Sequence, residues 1–496
     1  MAKLPVESNQ LEYKETAKHG LPKSIWESVS AFANTEGGKI ILGVSEVKKN
    51  QKFIVVGVSN PNKLKIEFLN LQSDKTTISQ PVVEADNIKI KSIEGKDIVT
   101  ITVPKVSYKN RPVYLKGNIK KSFYRDHESD RQVPDNLLRY FLRESDSTVD
   151  SEIIANFDLN DLDLVSLQNY KVFLAQHSQN NEYLSKDFPE FLQMLGLMQR
   201  DRTTEKTKWQ LTKAALLLFG KYNSITEVFP KFFLDLVIKK NSSDTDYLDR
   251  IYTSNEAHHP QNIYSFFELA FQKIQSQLNN KFELDGINRK DSGEALLAAV
   301  REGLVNTLIH ADYSADSQIK IFLFKDYVEF NNPGEMRVSK ERYVLGGDSQ
   351  ARNPKIFTIF TRAKLGERTG SGGHRIYQTA DRLKLRIPEI TSTMADTRLI
   401  IWLIPLSETV LENIPAEWQS TYERMTKLLI ASYSELQDLY RNSYEGHKII
   451  NGMVDASLLE KTGRNKGTKY ILSHNEPAIR MSMNKLIQQV QTNFLK

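Results

Sequence analysis

Apolar positions in the first part of the chain predict one helix followed by several short strands. Apolar side chains recur at helical spacing within residues 21–33, and the pair Gly37-Gly38 ends that segment. Short runs rich in β-branched and aromatic residues predict strands at 39–44, 53–56, 88–93, 98–103, 112–115 and 121–125. These elements together indicate a small α/β domain.

A longer helix with one polar stripe is predicted at residues 292–311. One face of it is apolar, with Leu297, Val300, Leu304 and Leu308. The opposite face carries Glu302, Asn306 and His310, each four residues from the next. Strands at 318–324 and 327–331 follow it. A surface helix could carry such a stripe without a function, but a stripe of this kind also suits a binding site.

The pattern divides the chain into four segments of a multidomain α/β (α+β) protein. Residues 1–135 and 226–410 mix helices and strands, residues 136–225 are mainly helical, and residues 411–496 are helical with one basic hairpin. We interpret 136–225 as a helical or winged-helix-like connector. A chain of 496 residues is too long for one core, which agrees with several domains.

Composition narrows the classes of function. Apolar residues make up 40% and charged residues 26%, and the net charge of +6 permits a polyanionic partner without requiring one. The chain has no cysteine, which excludes disulfides, thiolate metal sites and cysteine nucleophiles. The longest apolar stretches are far shorter than a bilayer span, so we expect a cytoplasmic protein with no membrane partner.

Three carboxylates near the first helix are candidates for a metal site. Glu7 and Glu12 precede the helix and Glu46 follows the strand after it. If they converge, a divalent cation such as Mg²⁺ or Mn²⁺ would offset their repulsion and could activate water, with Lys14 close to a phosphate. The alternative is that all four are solvated surface charges.

A basic and aromatic region precedes residue 132. Its candidate nucleic-acid contacts are Lys109, Arg111, Lys116, Lys120, Lys121 and Arg125, interleaved with aromatic residues. Such a mixture suits a phosphate backbone and unstacked bases. The alternative is a solvated sheet face with aromatic packing behind it, because strand alternation divides these side chains between two faces.

The first segment resembles the Schlafen AlbA-type domain. The resemblance rests on Glu12-Tyr13-Lys14, on the run from Ala31 to Gly38 and on Ile41-Leu42-Gly43-Val44. It implies a nucleic-acid-binding fold. In nucleolytic Schlafens, two glutamates five residues apart and an acid two residues past the Gly-Val pair form the active site. Glu7, Glu12 and Glu46 match those positions, with Glu46 in place of the usual Asp.

The third segment resembles the GHKL (Bergerat-type) ATP-binding fold, an α/β sandwich that follows AlbA domains in bacterial proteins. The resemblance rests on residues 301–306 and 310–314, the Asn-Pro-Gly turn at 332–334 and the glycine cluster at 366–373. It implies ATP and Mg²⁺ as cofactors. Glu302 would act on the attacking water and Asn306 would hold Mg²⁺; the other implied contacts are His310, Asn332, Gly334, Gly370, Gly372 and Gly373. The alternative is a degenerate domain that serves dimerisation.

The last segment is predicted to be a winged helix. Helices are predicted at 418–429, 434–442 and 444–458, then strands at 459–462 and 469–472 joined by a basic turn. Arg464 and Lys466 in that turn are candidate nucleic-acid contacts. The alternative is a protein-interaction module.

Three functions fit these observations. The first is a homo-oligomeric, ATP-regulated nuclease that cuts RNA such as tRNA, in phage defence or a stress response. The second is a non-catalytic, ATP-responsive DNA-binding regulator of transcription. The third is a protein-interaction scaffold. The chain has no G-x-x-x-x-G-K-[ST] motif, so a P-loop ATPase or helicase core is excluded.

Overall fold

The structure is a computed structural model in which the chain divides into two compact units. Unit 1 lies within residues 1–147 and unit 2 within residues 148–484. The residues described are 5, 7–16, 20–47, 52–145, 149–202, 208–240, 245–284, 290–347, 350–366, 370–405, 411, 414–428, 430–456, 458–462 and 468–472.

Unit 1 is a mixed α/β domain. Its strands are β1 Leu11–Lys14, β2 Gly38–Leu42, β3 Val44–Val47, β4 Lys52–Val55, β5 Ile88–Ile93, β6 Lys96–Val103, β7 Tyr114–Leu115, β8 Asn118–Asp126 and β9 Ser129–Gln132. Its helices are α1 Ile25–Asn34, α2 Pro61–Gln72 and α3 Asp135–Ser145. The strands form the sheet β1-β2-β6-β5, the sheet β7-β8-β9 and the hairpin β3-β4.

The run that ends α1 has a structural task. The buried side-chain amide of Asn34 donates to the carbonyls of Val113 and Phe123, both at 2.9 Å, and accepts from the Val113 amide at 2.7 Å. These bonds join α1 to the β7–β8 region. Gly37 then turns the chain into β2 at φ +73°, a conformation that favours glycine.

Unit 2 contains the following helices and strands. The helices are α4 Leu164–Ser178, α5 Glu182–Ser185, α6 Phe188–Leu195, α7 Lys213–Phe219, α8 Tyr222–Val228, α9 Ile263–Leu284, α10 Lys290–His310, α11 Lys340–Leu345, α12 Pro354–Arg362, α13 Gly372–Arg382, α14 Ala416–Leu428 and α15 Ser443–Asp455. The strands are β10 Met198–Arg200, β11 Trp209–Leu211, β12 Leu234–Ile238, β13 Asp249–Tyr252, β14 Ile319–Leu323, β15 Tyr327–Pro333, β16 Glu389–Ser392, β17 Asp396–Trp402, β18 Ile430–Ser432, β19 Leu459–Thr462 and β20 Lys469–Leu472.

A six-stranded sheet in the order β13-β12-β14-β15-β17-β16 organises most of unit 2. The apolar face of α10 packs on β15 and β17. One continuous core extends from Ile154 to Leu403. The segments predicted as a connector and as an ATP-binding fold therefore share a core.

Residues 416–472 have a separate small core. Here α14 leads into β18, α15 follows, and the sheet order is β18-β20-β19. This order agrees with the winged-helix interpretation, which stays a prediction. The helix predicted at 434–442 is wrong. Two single 3-10 turns occupy 433–435 and 437–439, and the carboxylate of Glu435 closes the first turn on the Ser432 amide at 2.8 Å.

The mixed α/β fold class is confirmed, and β1 and α2 are among the elements that the sequence did not predict. β1 is only four residues long, and two of its residues are charged. α2 begins at Pro61 after Asn60, whose side chain accepts from the Lys63 amide at 3.1 Å. Within the described ranges, no helix is both long and apolar enough to cross a membrane.

Candidate functional site

The predicted carboxylate site of unit 1 is built on β1. β1 runs parallel to β2, with Glu12 in register with Ile40. One carboxylate oxygen of Glu12 lies 3.1 Å from the ammonium of Lys14, and the other lies 2.7 Å from the guanidinium of Arg125. Two cations of the protein itself therefore balance Glu12.

Arg125 is buried, with its side chain 1% exposed, although the sequence suggested a surface phosphate contact. Its guanidinium also lies 2.8 Å from the carboxylate of Asp130, donates to the Ser8 carbonyl at 3.0 Å and covers the ring of Phe32. A buried charge needs such partners, because an unpaired one is costly. This corrects the expectation for Arg125, which holds β1, β8 and β9 together.

Glu7 and Glu46 lie near this pair without forming a ligand set. A carboxylate oxygen of Glu7 accepts from the Tyr13 amide at 2.8 Å. Burial raises the pKa of the Glu7 carboxyl, and the negative charges of Glu12 and Glu46 also raise it. The hydrogen bond from the Tyr13 amide has the opposite effect on this pKa. Glu46 is exposed on β3.

The donor set does not fit a metal ion in this arrangement. In the part of the chain that the structure describes, no group of three or more His, Asp or Glu side chains could hold one. A cation at Glu12 would compete with Lys14 and Arg125 for the same oxygens. Metal binding by Glu7, Glu12 and Glu46 therefore stays a prediction that the geometry does not support.

The other predicted nucleic-acid contacts fall into three groups. Arg111 is buried; its guanidinium donates to the Asn34 carbonyl at 3.4 Å and lies over the Phe141 ring, which corrects its assignment as a surface contact. Four lysines are exposed: Lys109, Lys116, Lys120 and Lys121. Arg464 and Lys466 lie outside the described residues.

In unit 2 the polar stripe of α10 lines a cavity that is open to solvent. Glu302, Asn306 and His310, which the sequence placed on one face of this helix, all contribute to the cavity wall. The wall also contains the predicted residues Asn332, Gly370, Gly372 and Gly373. Seven of the predicted residues therefore lie around one cavity.

The glycines at the start of α13 allow close packing at this cavity. A Cβ atom on Gly372 would overlap the carboxylate of Glu302, and one on Gly373 would overlap the backbone of Tyr343. The first residues of this 11-residue helix thus belong to the cavity wall, and the first N–H groups of a helix have no partner within it. This arrangement suits an anionic ligand.

The far end of the cavity lies on β15 and β17. Asn332 and Thr397 are paired in register, and both line the wall. The Thr397 hydroxyl donates to the Gly334 carbonyl at 2.8 Å. Gly334 itself has φ +97°, and a side chain there would overlap the guanidinium of Arg352. Thr397 was missed by the sequence analysis, since only strand pairing places it opposite Asn332.

Three arginines give the wall positive charge: Arg337, Arg342 and Arg352. The guanidinium of Arg352 donates to the carbonyls of His310 at 2.7 Å and Glu335 at 2.9 Å, which fixes its position. Burial, with the charges of Arg352 and Arg337, lowers the pKa of His310 to about 3. His310 is therefore neutral at physiological pH.

Tyr343 on α11 contacts the predicted Mg²⁺ ligand. Its hydroxyl lies near the side chain of Asn306. Burial raises the pKa of Tyr343, and the nearby charges of Tyr377 and Glu302 act in the same direction, whereas Asn306 acts to lower this pKa. α11 therefore covers the part of the cavity next to Asn306.

Three family models match parts of this chain. Residues 7–134 match the model described as "Schlafen, AlbA_2". Residues 316–401 match the model described as "Putative ATP-dependent DNA helicase recG C-terminal", and residues 139–235 match a domain of unknown function, DUF8451. The chain thus carries a Schlafen AlbA_2 domain and, later, a RecG C-terminal-like domain, and both resemblances are confirmed.

Two solved structures are also similar. The crystal structure of the DIP2311 protein from Corynebacterium diphtheriae is 16% identical, covering 94% of this chain and 95% of that one, with a TM-score of 0.39. The solution structure of the N-terminal domain of a "Putative ATP-dependent DNA Helicase RecG-related Protein" from Nitrosomonas europaea is 26% identical. It covers 25% of this chain and 83% of that one, with a TM-score of 0.20. Among curated proteins, none matches this chain.

Proposed function

We propose that this protein binds a nucleic acid through unit 1 and an adenine nucleotide in the cavity of unit 2. The observation that carries the proposal is the cavity itself. Glu302, Asn306 and the glycines of α13 converge there, and these glycines belong to the segment 316–401 that matches a model described as "Putative ATP-dependent DNA helicase recG C-terminal". Backbone N–H groups and arginines in the cavity can bind the phosphates of a triphosphate. The side-chain oxygens of Glu302 and Asn306 can bind its cation.

The roles follow from position along the cavity. Asn332 and Thr397 lie at one end and would contact the base. The start of α13 and the arginines would contact the phosphates. Asn306 would hold Mg²⁺, which takes few protein ligands and neutralises phosphate charge when bound. Glu302 would orient the attacking water if the nucleotide is hydrolysed.

Nucleic-acid binding is proposed for unit 1 from its Schlafen AlbA_2 match and its exposed lysines. Cleavage of RNA is not part of the proposal, because Arg125 and Lys14 already balance Glu12. These contacts favour an ATP-responsive nucleic-acid-binding protein over a nuclease. Homo-oligomerisation and roles in phage defence or transcription stay predictions.

The test measures nucleotide and nucleic-acid binding with the full chain. We expect ATP with Mg²⁺ to bind in calorimetry, and a labelled duplex to bind with an affinity that ATP changes. Glu302→Gln should keep ATP binding and lose any hydrolysis, while Asn306→Ala should weaken binding in the presence of Mg²⁺. Absence of ATP binding, or metal-dependent cutting of RNA that Glu12→Gln abolishes, would overturn the proposal.

A further inference from the structure

The positive charge of this protein is concentrated in its first domain. Residues 1–135 contain 22 Lys and Arg against 16 Asp and Glu. The remaining residues contain 45 of each, so the first 135 account for the whole net charge of +6. A polyanion should therefore be attracted to unit 1.

One face of the sheet β1-β2-β6-β5 is packed against helices, and part of the other is open. Ile40, Ile88 and Ile101 belong to the core that contains α1 and α2 residues. Side chains alternate along a strand, so the neighbours of these residues point to the opposite face. Ile41, Ile93 and Ile98 on that opposite face pack with Tyr13 and with hairpin residues of β3 and β4. The hairpin covers only this part of the face.

The uncovered part of the face carries three lysines and two threonines: Lys39, Lys89, Lys91, Thr100 and Thr102. Lys39 is in register with Thr102, and Lys89 with Thr100. The three lysines are exposed and the threonines are partly buried. We call this set the lysine face.

The described residues of unit 1 leave the charges of these lysines unpaired. Within the described ranges, none of the three makes an ion pair or a side-chain hydrogen bond, whereas half-buried Lys105 pairs with Glu36 at 2.9 Å. Alternate residues of one strand lie about 6.6 Å apart, and strands two apart lie roughly 10 Å apart. The three ammonium groups are therefore too far apart to surround one small anion, and they form an extended positive surface.

We propose that the lysine face binds the sugar–phosphate backbone of a double-stranded nucleic acid. The inference rests on the proposed function and identifies the surface that performs it. Lysine ammonium and threonine hydroxyl groups are donors to phosphate oxygens. A single strand would also need aromatic side chains on which its bases stack, and the lysine face carries none. This surface is distinct from Lys109, Lys116, Lys120 and Lys121, which the sequence singled out.

The test compares two triple variants of the full chain by fluorescence anisotropy with a labelled 20-base-pair DNA duplex. The first is K39Q/K89Q/K91Q. The matched control is K23Q/K63Q/K75Q, which removes the same charge from exposed lysines outside the lysine face. Each phosphate contact contributes about 0.9 to the slope of log affinity against log salt. The lysine-face variant should therefore bind at least tenfold more weakly with a slope lower by about 2–3, and the control within threefold of wild type.

Each outcome has one meaning. Unchanged unfolding temperatures confirm that both variants are folded, since all six lysines are exposed. If the wild type binds no nucleic acid, the proposed function fails. If the wild type binds and both variants lose affinity equally, the lysine face is not the binding surface, while the proposed function stands. If the triple substitution in the lysine face weakens binding of single-stranded DNA but leaves duplex binding intact, the proposal that this face binds a double-stranded nucleic acid is wrong.

Discussion

At the scale of single residues, the pair formed by Glu12 and Arg125 sets what unit 1 can do. Their side chains are 14% and 1% exposed, and the two charged groups lie 2.7 Å apart. Removing one partner of a buried pair leaves the other uncompensated, at a cost of about 3–5 kcal/mol. We infer that the main role of Glu12 is to stabilise the fold through its ion pair with Arg125.

The first prediction concerns Glu12→Gln. It should lower the free energy of unfolding of unit 1 by roughly 2–4 kcal/mol, measured by urea denaturation. Glu36→Gln is the matched control, because the exposed Glu36–Lys105 pair should contribute below about 1 kcal/mol. Equal stabilities of the two variants would contradict this reading of Glu12, and a metal-binding role would regain support.

The second prediction uses the low pKa of His310, about 3 against about 6.5 for an unfolded histidine. Below pH 6.5 the unfolded chain takes up a proton that the folded chain does not, so His310 makes stability fall as pH falls. Between pH 7 and pH 4.5 its share is about 2–3 kcal/mol. His310→Gln should lose that share of the pH dependence in chemical denaturation, and identical profiles for variant and wild type would refute the burial of His310.

The sequence predicts residue types better than residue partners. It places Glu7, Glu12 and Glu46 in one region, yet it cannot show that Arg125, more than a hundred residues later, reaches Glu12. Burial of Arg125 was missed for the same reason, because the pairing of β7, β8 and β9 decides which face its side chain occupies. Burial of Arg111 depends on its contacts with Asn34 and Phe141, which are also distant in sequence.

At the scale of elements, α12 shows how a distant 3-10 turn, Val149–Ser151, fixes the start of a helix beside the cavity. The buried carboxylate of Asp150 accepts from the amides of Lys355 at 2.8 Å and Ile356 at 3.0 Å, at the start of α12. Burial raises the pKa of Asp150 to about 6 despite these bonds. The protonated carboxyl is therefore more compatible with the fold than the charged one.

The third prediction follows from that pKa. Stability from Asp150 is highest below pH 4 and declines as pH rises through about 6, by up to about 3 kcal/mol. Asp150→Asn keeps an acceptor and should lack this decline, whereas Asp150→Ala loses the acceptor and should be less stable by about 1–2 kcal/mol at every pH. Unfolding curves for wild type and Asp150→Asn that run parallel from pH 4 to pH 8 would exclude the raised pKa.

Element-level reasoning worked where periodicity is local. The stripe on α10 repeats every four residues and correctly predicts that Glu302, Asn306 and His310 share a surface. Thr397 escaped notice because its place depends on pairing between β15 and β17, strands separated by three helices. Sequence spacing carries no information about that register.

At the scale of the whole molecule, charge and cavity belong to different units. The net positive charge lies within the first 135 residues, and the cavity lies in unit 2. Loss of the lysine face should therefore leave ATP binding unchanged, and loss of the cavity should leave basal nucleic-acid affinity unchanged. This fourth prediction is checked by titrating K39Q/K89Q/K91Q with ATP and Asn306→Ala with the DNA duplex. A large effect in either cross-test would contradict separate sites.

The central claim is that the cavity of unit 2 binds ATP. Asn332 and Asn331 are adjacent on β15, but only Asn332 lines the cavity, while the amide of Asn331 donates to Glu329 at 2.9 Å. The most direct measurement is the dissociation constant for ATP with Mg²⁺ in calorimetry for Asn332→Ala and Asn331→Ala. The account predicts at least a tenfold weaker affinity for Asn332→Ala and a change below twofold for Asn331→Ala. Equal affinities for the two variants, or no binding by the wild type, would contradict it.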